Sequence, residues 1–329
     1  MNKETSHFVI SLDFELLWGV LDSRGEEYFE SIEKVHIVIP KILKLFEKYQ
    51  INCTWATVGA VMANDYDEFV KGGAVLQPSY INKTLSPYSS LAKLKLLNRK
   101  LLFGPDLVKQ ILESKGQELA SHTYAHYYCL ESGQTLDEFS SDLKAWRYMA
   151  EKYIDDKQGY SLVFPRNQFD SDSVKVCRDN GFKSYRGNPK HWAYTPSSRT
   201  TFDLHKRIFR LIDSYIPLSG SLGNKASLNT ETGLINIPAS LFFRPYNPTL
   251  KFFEKLKVWR FKYSLKKSAQ SGEVFHLWWH PHNFSRNTEE NLAQLEELFL
   301  YYKELRKKYG IQSANMHDIA ELVISRGVI

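Results

Sequence analysis

The chain has 329 residues, of which 43% are apolar, 24% charged and 14% aromatic. That length buries a sizeable core without disulfides, and that composition excludes a disordered chain. The formal charge is +6, and with no recognised nucleic-acid motif beside the bases, nucleic acid is not an expected partner. Cys53, Cys129 and Cys177 lie far apart and outside any CxxC spacing, which argues against a disulfide framework or a cysteine zinc site and suits a reducing compartment.

Apolar strand-like runs alternate with helical patterns along the chain. Phe8 to Leu12 reads as a strand, Ile32 to Tyr49 as a helix and Ile51 to Val58 as a second strand. Leu107 to Ser114 (helix), Glu118 to Ser121 (strand), Leu136 to Tyr153 (helix) and Ser161 to Phe164 (strand) follow. Val174 to Asn180, Phe182 to Tyr185, Leu204 to Ile212, Leu234 to Ile237, Leu250 to Lys267, Val274 to Trp279, Thr288 to Tyr309 and Ile311 to Ala314 continue the alternation. Repetition of strand, helix and strand implies parallel pairing with crossover helices, hence an α/β barrel or a doubly wound sheet. Asp13, His122, Arg166 and His280 each follow a strand-like run, and a barrel brings such carboxyl ends to one mouth. Two stretches break the rhythm: 63–104, read as an insertion over the mouth or edge, and Ser214 to Gly233. The expected organisation is one catalytic domain over 1–329.

Seven bases between Lys251 and Lys267 against the single acid Glu254 carry the net positive excess. Phe252, Leu256, Trp259 and Tyr263 fall at helical spacing there, which predicts an amphipathic helix packed through its aromatic stripe with a solvated basic face. The sharper reading makes 251–267 a peripheral contact with anionic lipid headgroups or with a lipid-linked or phosphate-bearing substrate. No run of about 18 apolar residues exists, so no spanning helix is expected. An N-terminus without an apolar leader region gives a cytoplasmic expectation.

The chemistry concentrates in three segments. His122 and His126, four apart, suit a divalent ion held from one helical turn, and Asp13 and Glu15 offer carboxylates at the exit of the first strand. If one carboxylate binds metal, the other takes a proton from water. His280, with His276 and His282 as competitors, is placed to return a proton to a departing amine, and Arg166 to hold the base carboxylate. Trp18, Tyr124, Trp192, Trp278 and His282 are the candidate substrate-binding side chains.

These segments resemble the motifs of the polysaccharide deacetylases, the NodB-homology type of carbohydrate esterase family 4 and its relatives. Ser11-Leu12-Asp13-Phe14-Glu15 is similar to the family's first motif, His122-Thr123-Tyr124-Ala125-His126 to the second, Phe164-Pro165-Arg166 to the third and Trp278-Trp279-His280 to the last. The resemblance implies a distorted (β/α)7 barrel, Asp13 as base, Glu15, His122 and His126 as metal ligands, and His280 as acid. It also implies an N-deacetylase of an N-acetylated sugar in surface-polysaccharide or glycolipid synthesis, with zinc as the default ion and nickel or cobalt as substitutes. Three departures stand out. Glutamate replaces the usual aspartate at 15, proline precedes arginine at 165–166, and Arg186 to Trp192 contains Trp192 but no aspartate, leaving Asp213 as the acid to orient His280. The rivals are an allantoinase-like amidohydrolase of the same fold and a non-catalytic glycan-binding protein.

Overall fold

A computed structural model describes residues 5–155, 158–195 and 203–327. The strands are β1 (His7–Phe14), β2 (Cys53–Thr57), β3 (Gln117–Ser121), β4 (Ser161–Leu162), β5 (Ser184–Tyr185), β6 (Ser227–Asn229), β7 (Leu234–Asn236), β8 (Leu241–Phe242), β9 (Val274–Trp279) and β10 (Gln312–Ala314). They form one sheet in the order β6-β7-β5-β4-β3-β2-β1-β9-β8, with β10 also on β1, and every pairing is parallel except β6 on β7. The segment from β7 to β8 meets both ends of that order. Its 235, 237 and 239 N–H groups donate to the 183, 185 and 187 carbonyls of β5 and its exit, and those of 240 and 243 donate to the 276 and 278 carbonyls of β9. The sheet therefore curls round on itself as a distorted (β/α)7 barrel.

Strand alternation divides the interior from the helical coat. Phe8, Ile10, Leu12 and Phe14 of β1 face outward into the main core with Val38, Ile42 and Phe46 of the helix Val35–Tyr49. That helix carries its apolar residues at the three- and four-residue spacing of one face and ends on Gln50 in the left-handed region. On the inward face of β1, Val9 joins Val163, Ile235, Ile237 and Val274, closed from below by Met316, Ile319 and Val323 of the helix Met316–Ser325. Above Val9 on the same face come Ser11 and then Asp13; above Val274 come His276 and Trp278. The barrel is thus apolar at its amino-terminal end and polar where the strands end.

The bounds expected from the sequence agree with these elements to within a few residues. The helix Met316–Ser325 and the short strands β6 and β8 were not legible; β6 lies inside the Ser214 to Gly233 excursion and pairs with β7 just beyond it. The 63–104 stretch contains the short helices Tyr66–Gly72, Leu91–Leu94 and Arg99–Leu102.

The basic tract corrects its expectation. In the helix Glu254–Ser271 it is Val258, Phe261 and Leu265 that face the core, while Phe252, Leu256 and Trp259 are exposed. Lys257 and Arg260 are buried instead, Lys257 paired with Glu254 and bonded to the 244 and 245 carbonyls, Arg260 bonded to the Asp213 carbonyl and to Ser264. Two stripes share this helix, and the one on the side of the internally paired Lys257 and Arg260 faces inward.

Candidate active site

Loop chemistry at the strand ends sets the site. Glu15 lies just past β1, where the chain turns through Leu16 in the left-handed region, and its carboxylate occupies the space over Gly19. A Cβ on residue 19 would sit 1.9 Å from the Glu15 Cδ and 2.1 and 2.3 Å from its oxygens. Gly19→Ala should therefore displace Glu15 and lower metal affinity by about 10-fold or more, read by elemental analysis on protein whose circular dichroism is unchanged.

His122 and His126 follow β3, but not on a helical turn. Thr123 and His126 are both left-handed, at φ 62° and 58°. The loop is held by Asp142 of the helix Leu136–Ala150, whose carboxylate accepts the 124 and 125 N–H groups at 2.5 and 3.1 Å, and by the Thr123 hydroxyl, which accepts the 127 N–H at 2.8 Å. Asp142 is fully buried, and burial pushes its pKa up to about 7 against the pull of those two N–H donors. No sequence signal links Asp142 to the histidines, because the contact is between a helix and a loop 16 residues or more upstream.

Both imidazoles turn Nε2 toward Glu15. The His122 Nδ1–H donates to the Val163 carbonyl at 2.8 Å, which leaves Nε2 as the lone-pair nitrogen of the neutral ring. The His126 Nδ1 lies 3.0 Å from the Tyr128 hydroxyl. The two Nε2 atoms stand 3.5 and 3.1 Å from Glu15 Oε2, are buried, and have no hydrogen-bond partner. Lone pairs facing a buried carboxylate repel unless a cation lies among them, and Glu15, His122 and His126 form the group among the described residues with metal-ligand spacing, within 4.8 Å. The residues present thus fit a divalent ion. Burial opposes ionisation of Glu15, and the nearby His280 is the largest pull the other way, so the carboxyl lies well below its usual range.

Asp13 is paired, and its partner is Arg186. The guanidinium makes a fork to both carboxylate oxygens at 2.7 and 2.9 Å, while donating to Ser11 Oγ and Asn167 Oδ1, each at 3.0 Å, and lying over the Trp278 ring at 4.4 Å. Burial works against the Asp13 charge, but Arg186 is the largest pull the other way, and the carboxyl stays below its ordinary range. Arg166 is elsewhere. It bonds to Asp22 and lies 4.2 Å over the Tyr128 ring, because Arg166 and Asn167 are both left-handed and send their side chains in opposite directions. The available signal for Arg186 was its place directly after β5, as His122 directly follows β3.

Three histidines from β9 and its exit take different places. His276 is buried, bonds to Ser11 Oγ at 2.8 Å, and is pushed down to about 3 by burial and by Arg186. His282 is likewise pushed down to about 3 by burial and by His280, with Nδ1 3.9 Å from Glu15 Oε1. His280 is the accessible one, its side chain 23% exposed. Its Nδ1 faces Asn283 Oδ1 at 3.2 Å, and its Nε2 lies 3.8 Å from Asp13 and 3.7 Å from Glu15. Asp213 bonds to Tyr194, Ser219 and Arg260 and leaves His280 to Asn283.

Of the candidate substrate-binding side chains, Trp278 borders the open cavity beside His280. Tyr124 is fully buried, its hydroxyl donated to the Phe69 carbonyl, so it belongs to the core. Trp18 is nearly buried against Phe69 and Phe103, with Nε1 bonded to the 102 carbonyl. Trp192 is exposed and stacked on His205.

Residues 29–185 match the family model described as polysaccharide deacetylase. That segment is similar to the polysaccharide deacetylase family. That match spans His122 and His126, while Asp13, Glu15, Arg186 and His280 lie outside it. This likeness places the chain with hydrolases acting on amide and acetyl groups. A Mycobacterium smegmatis structure described as a polysaccharide deacetylase is similar over 99% of this chain and 93% of its own, at 13% identity and TM-score 0.62. Puue allantoinase aligns over 96% and 88%, at 12% identity and TM-score 0.53. A Pseudomonas aeruginosa PAO1 structure, also described as a polysaccharide deacetylase, aligns over 96% and 89%, at 11% identity and TM-score 0.51. These likenesses concern the fold. No curated protein sequence matches the chain.

Proposed function

We propose that this protein is a metal-dependent N-deacetylase acting on an N-acetylated sugar of a surface-polysaccharide or glycolipid intermediate, working in the cytoplasm. The observation that supports it most is the pair of unpartnered Nε2 atoms of His122 and His126 aimed at Glu15, beside an ion-paired Asp13 and an accessible His280. Glu15, His122 and His126 would hold the ion, with zinc the default for two imidazoles and a carboxylate. When bound, such an ion polarises a carbonyl and lowers the pKa of a neighbouring water.

The chain's own groups supply the rest. Asp13 accepts the proton of the attacking water, and Arg186 fixes the direction of its oxygens and keeps it ionised. His280 presents Nε2 across the same opening and delivers a proton to the departing amine nitrogen. His276 and Ser11 form a neutral floor beneath the pair and exclude water from it. Among the described residues no helix is long and apolar enough to cross a membrane.

Metal content of the purified protein, measured with acetate release from N-acetylhexosamine substrates with and without added zinc, tests the reading. About one ion per chain and metal-dependent acetate release are the expected results. Metal without acetate release, but with hydrolysis of a small ureide, would select an allantoinase-like amide hydrolase. No metal uptake from excess zinc would overturn the reading in favour of a sugar-binding protein.

A further inference from the structure

Beside His280 the surface opens into a trough of about 680 Å³ whose lining includes Arg166, Arg207, Arg210, Arg244, Trp278 and His280 and, among the described residues, no carboxylate. Arg166 has Asp22 as a partner. Among the described residues no acid pairs with Arg210 or Arg244; Arg210 donates Nε–H to its own helix, at the 206 carbonyl. Arg244 is half-buried, and desolvation lowers its pKa, the cost of holding a guanidinium there without a counter-charge. Like charges gathered in a partly dry trough repel, and an anion removes that cost. Planar guanidinium forks are the donors that match phosphate oxygens.

We propose that the substrate carries a phosphate ester, held by Arg210 and Arg244 with Arg207 at the rim, while the acylated sugar reaches the Asp13 and His280 end of the same trough. This deepens the deacetylase reading and rests on it for the sugar, but not for the phosphate. Two kinds of sugar carry such a group, those linked to a nucleotide and those linked to a lipid. The rim points to the lipid. Ile208 and Leu211 line the trough and are about half exposed; also exposed are Ile212 and, on a second segment, Phe252, Leu256 and Trp259, beside which Lys251 and Lys255 stand in sequence. Tyr215 and Phe253, with ring centroids 6.4 Å apart, bring the ends of these two segments together.

Calorimetric binding to the full chain, with and without zinc, tests this using N-acetylglucosamine 1-phosphate and methyl N-acetylglucosaminide as paired probes. The phosphate sugar is expected to bind at least about 10-fold more tightly, independently of zinc, with a preference that falls as salt rises. In Arg210→Gln/Arg244→Gln the ratio of the two affinities should collapse toward one, with zinc uptake showing that the fold is retained. Equal affinities in the wild type, or a ratio that survives the double substitution, would overturn the proposal. A phosphate preference without acetate release from any sugar would keep the anion site and sink the deacetylase reading alone. UDP-N-acetylglucosamine and the dodecyl phosphodiester of N-acetylglucosamine then separate the sources: tighter binding of the dodecyl ester assigns a lipid-linked sugar, and tighter binding of the UDP sugar a nucleotide-linked one.

Discussion

His122→Ala should take metal content to background and acetate release with it, whereas Asp13→Asn should keep the metal and still lose activity by at least ~10²-fold, the usual worth of a positioned general base. The distinction follows from where each group points. His122 Nε2 faces Glu15 at 3.5 Å with nothing else to bond, and its Nδ1–H is committed to the Val163 carbonyl, so the ring is oriented before any ion arrives. Removing it leaves His126 and Glu15, two donors where three are needed to outcompete water. Asp13, by contrast, has both oxygens on Arg186 and lies beside the three-residue group rather than in it. Elemental analysis of the two variants against wild type, with acetate assayed on the same samples, decides the matter. Metal retained in His122→Ala, or full activity in Asp13→Asn, would remove the assigned roles.

The strands and the major crossover helices were readable because their period was strong. β1 is buried along its whole length, as a central parallel strand should be, and its last polar residues fall where the barrel mouth opens. The same logic located His122 and His280, each one step beyond a strand end. What period cannot show is direction within a turn. Arg166 and Arg186 both follow strands, and only the left-handed geometry at 166 and 167 sends one guanidinium to Asp22 while Arg186 runs straight into the barrel. His122 and His126 illustrate a related failure: spacing of four suggests a helical turn, and the chain instead reaches the same convergence through left-handed residues at 123 and 126 on either side of the 124 and 125 N–H groups that Asp142 accepts.

The tract at 251–267 was misread for a different reason. A stripe at 252, 256, 259 and 263 and another at 258, 261 and 265 are equally periodic, and sequence contains no rule for choosing which one meets the body. Long-range partners choose. Glu254 and Asp213 satisfy Lys257 and Arg260 inside, so those bases go in and the first stripe stays out. A charge run counted as a solvated face was partly a set of internal ion pairs.

Arg186→Met should lower kcat/KM by about 10²- to 10⁴-fold while zinc content stays near wild type. Breaking one side of a buried pair leaves Asp13 desolvated without its main counter-charge, so burial pushes the carboxyl toward its neutral form, in which it cannot accept a proton. The same change should cost about 3–5 kcal/mol of stability, because the surviving charge is desolvated and unpaired. Arg186→Lys is expected to recover part of the stability and little of the rate, since an ammonium restores charge without the two parallel bonds that aim both oxygens. Arg166→Met leaves the Asp13 pair in place and breaks a bond to Asp22, so its kcat loss should be at least about tenfold smaller. Steady-state kinetics and thermal unfolding on these three variants separate the two arginines. Equal losses of kcat in Arg166→Met and Arg186→Met would show that the ion pair to Asp13 does not set the rate, and catalysis would then have to be sought along the Asp22 and Tyr128 side of the mouth.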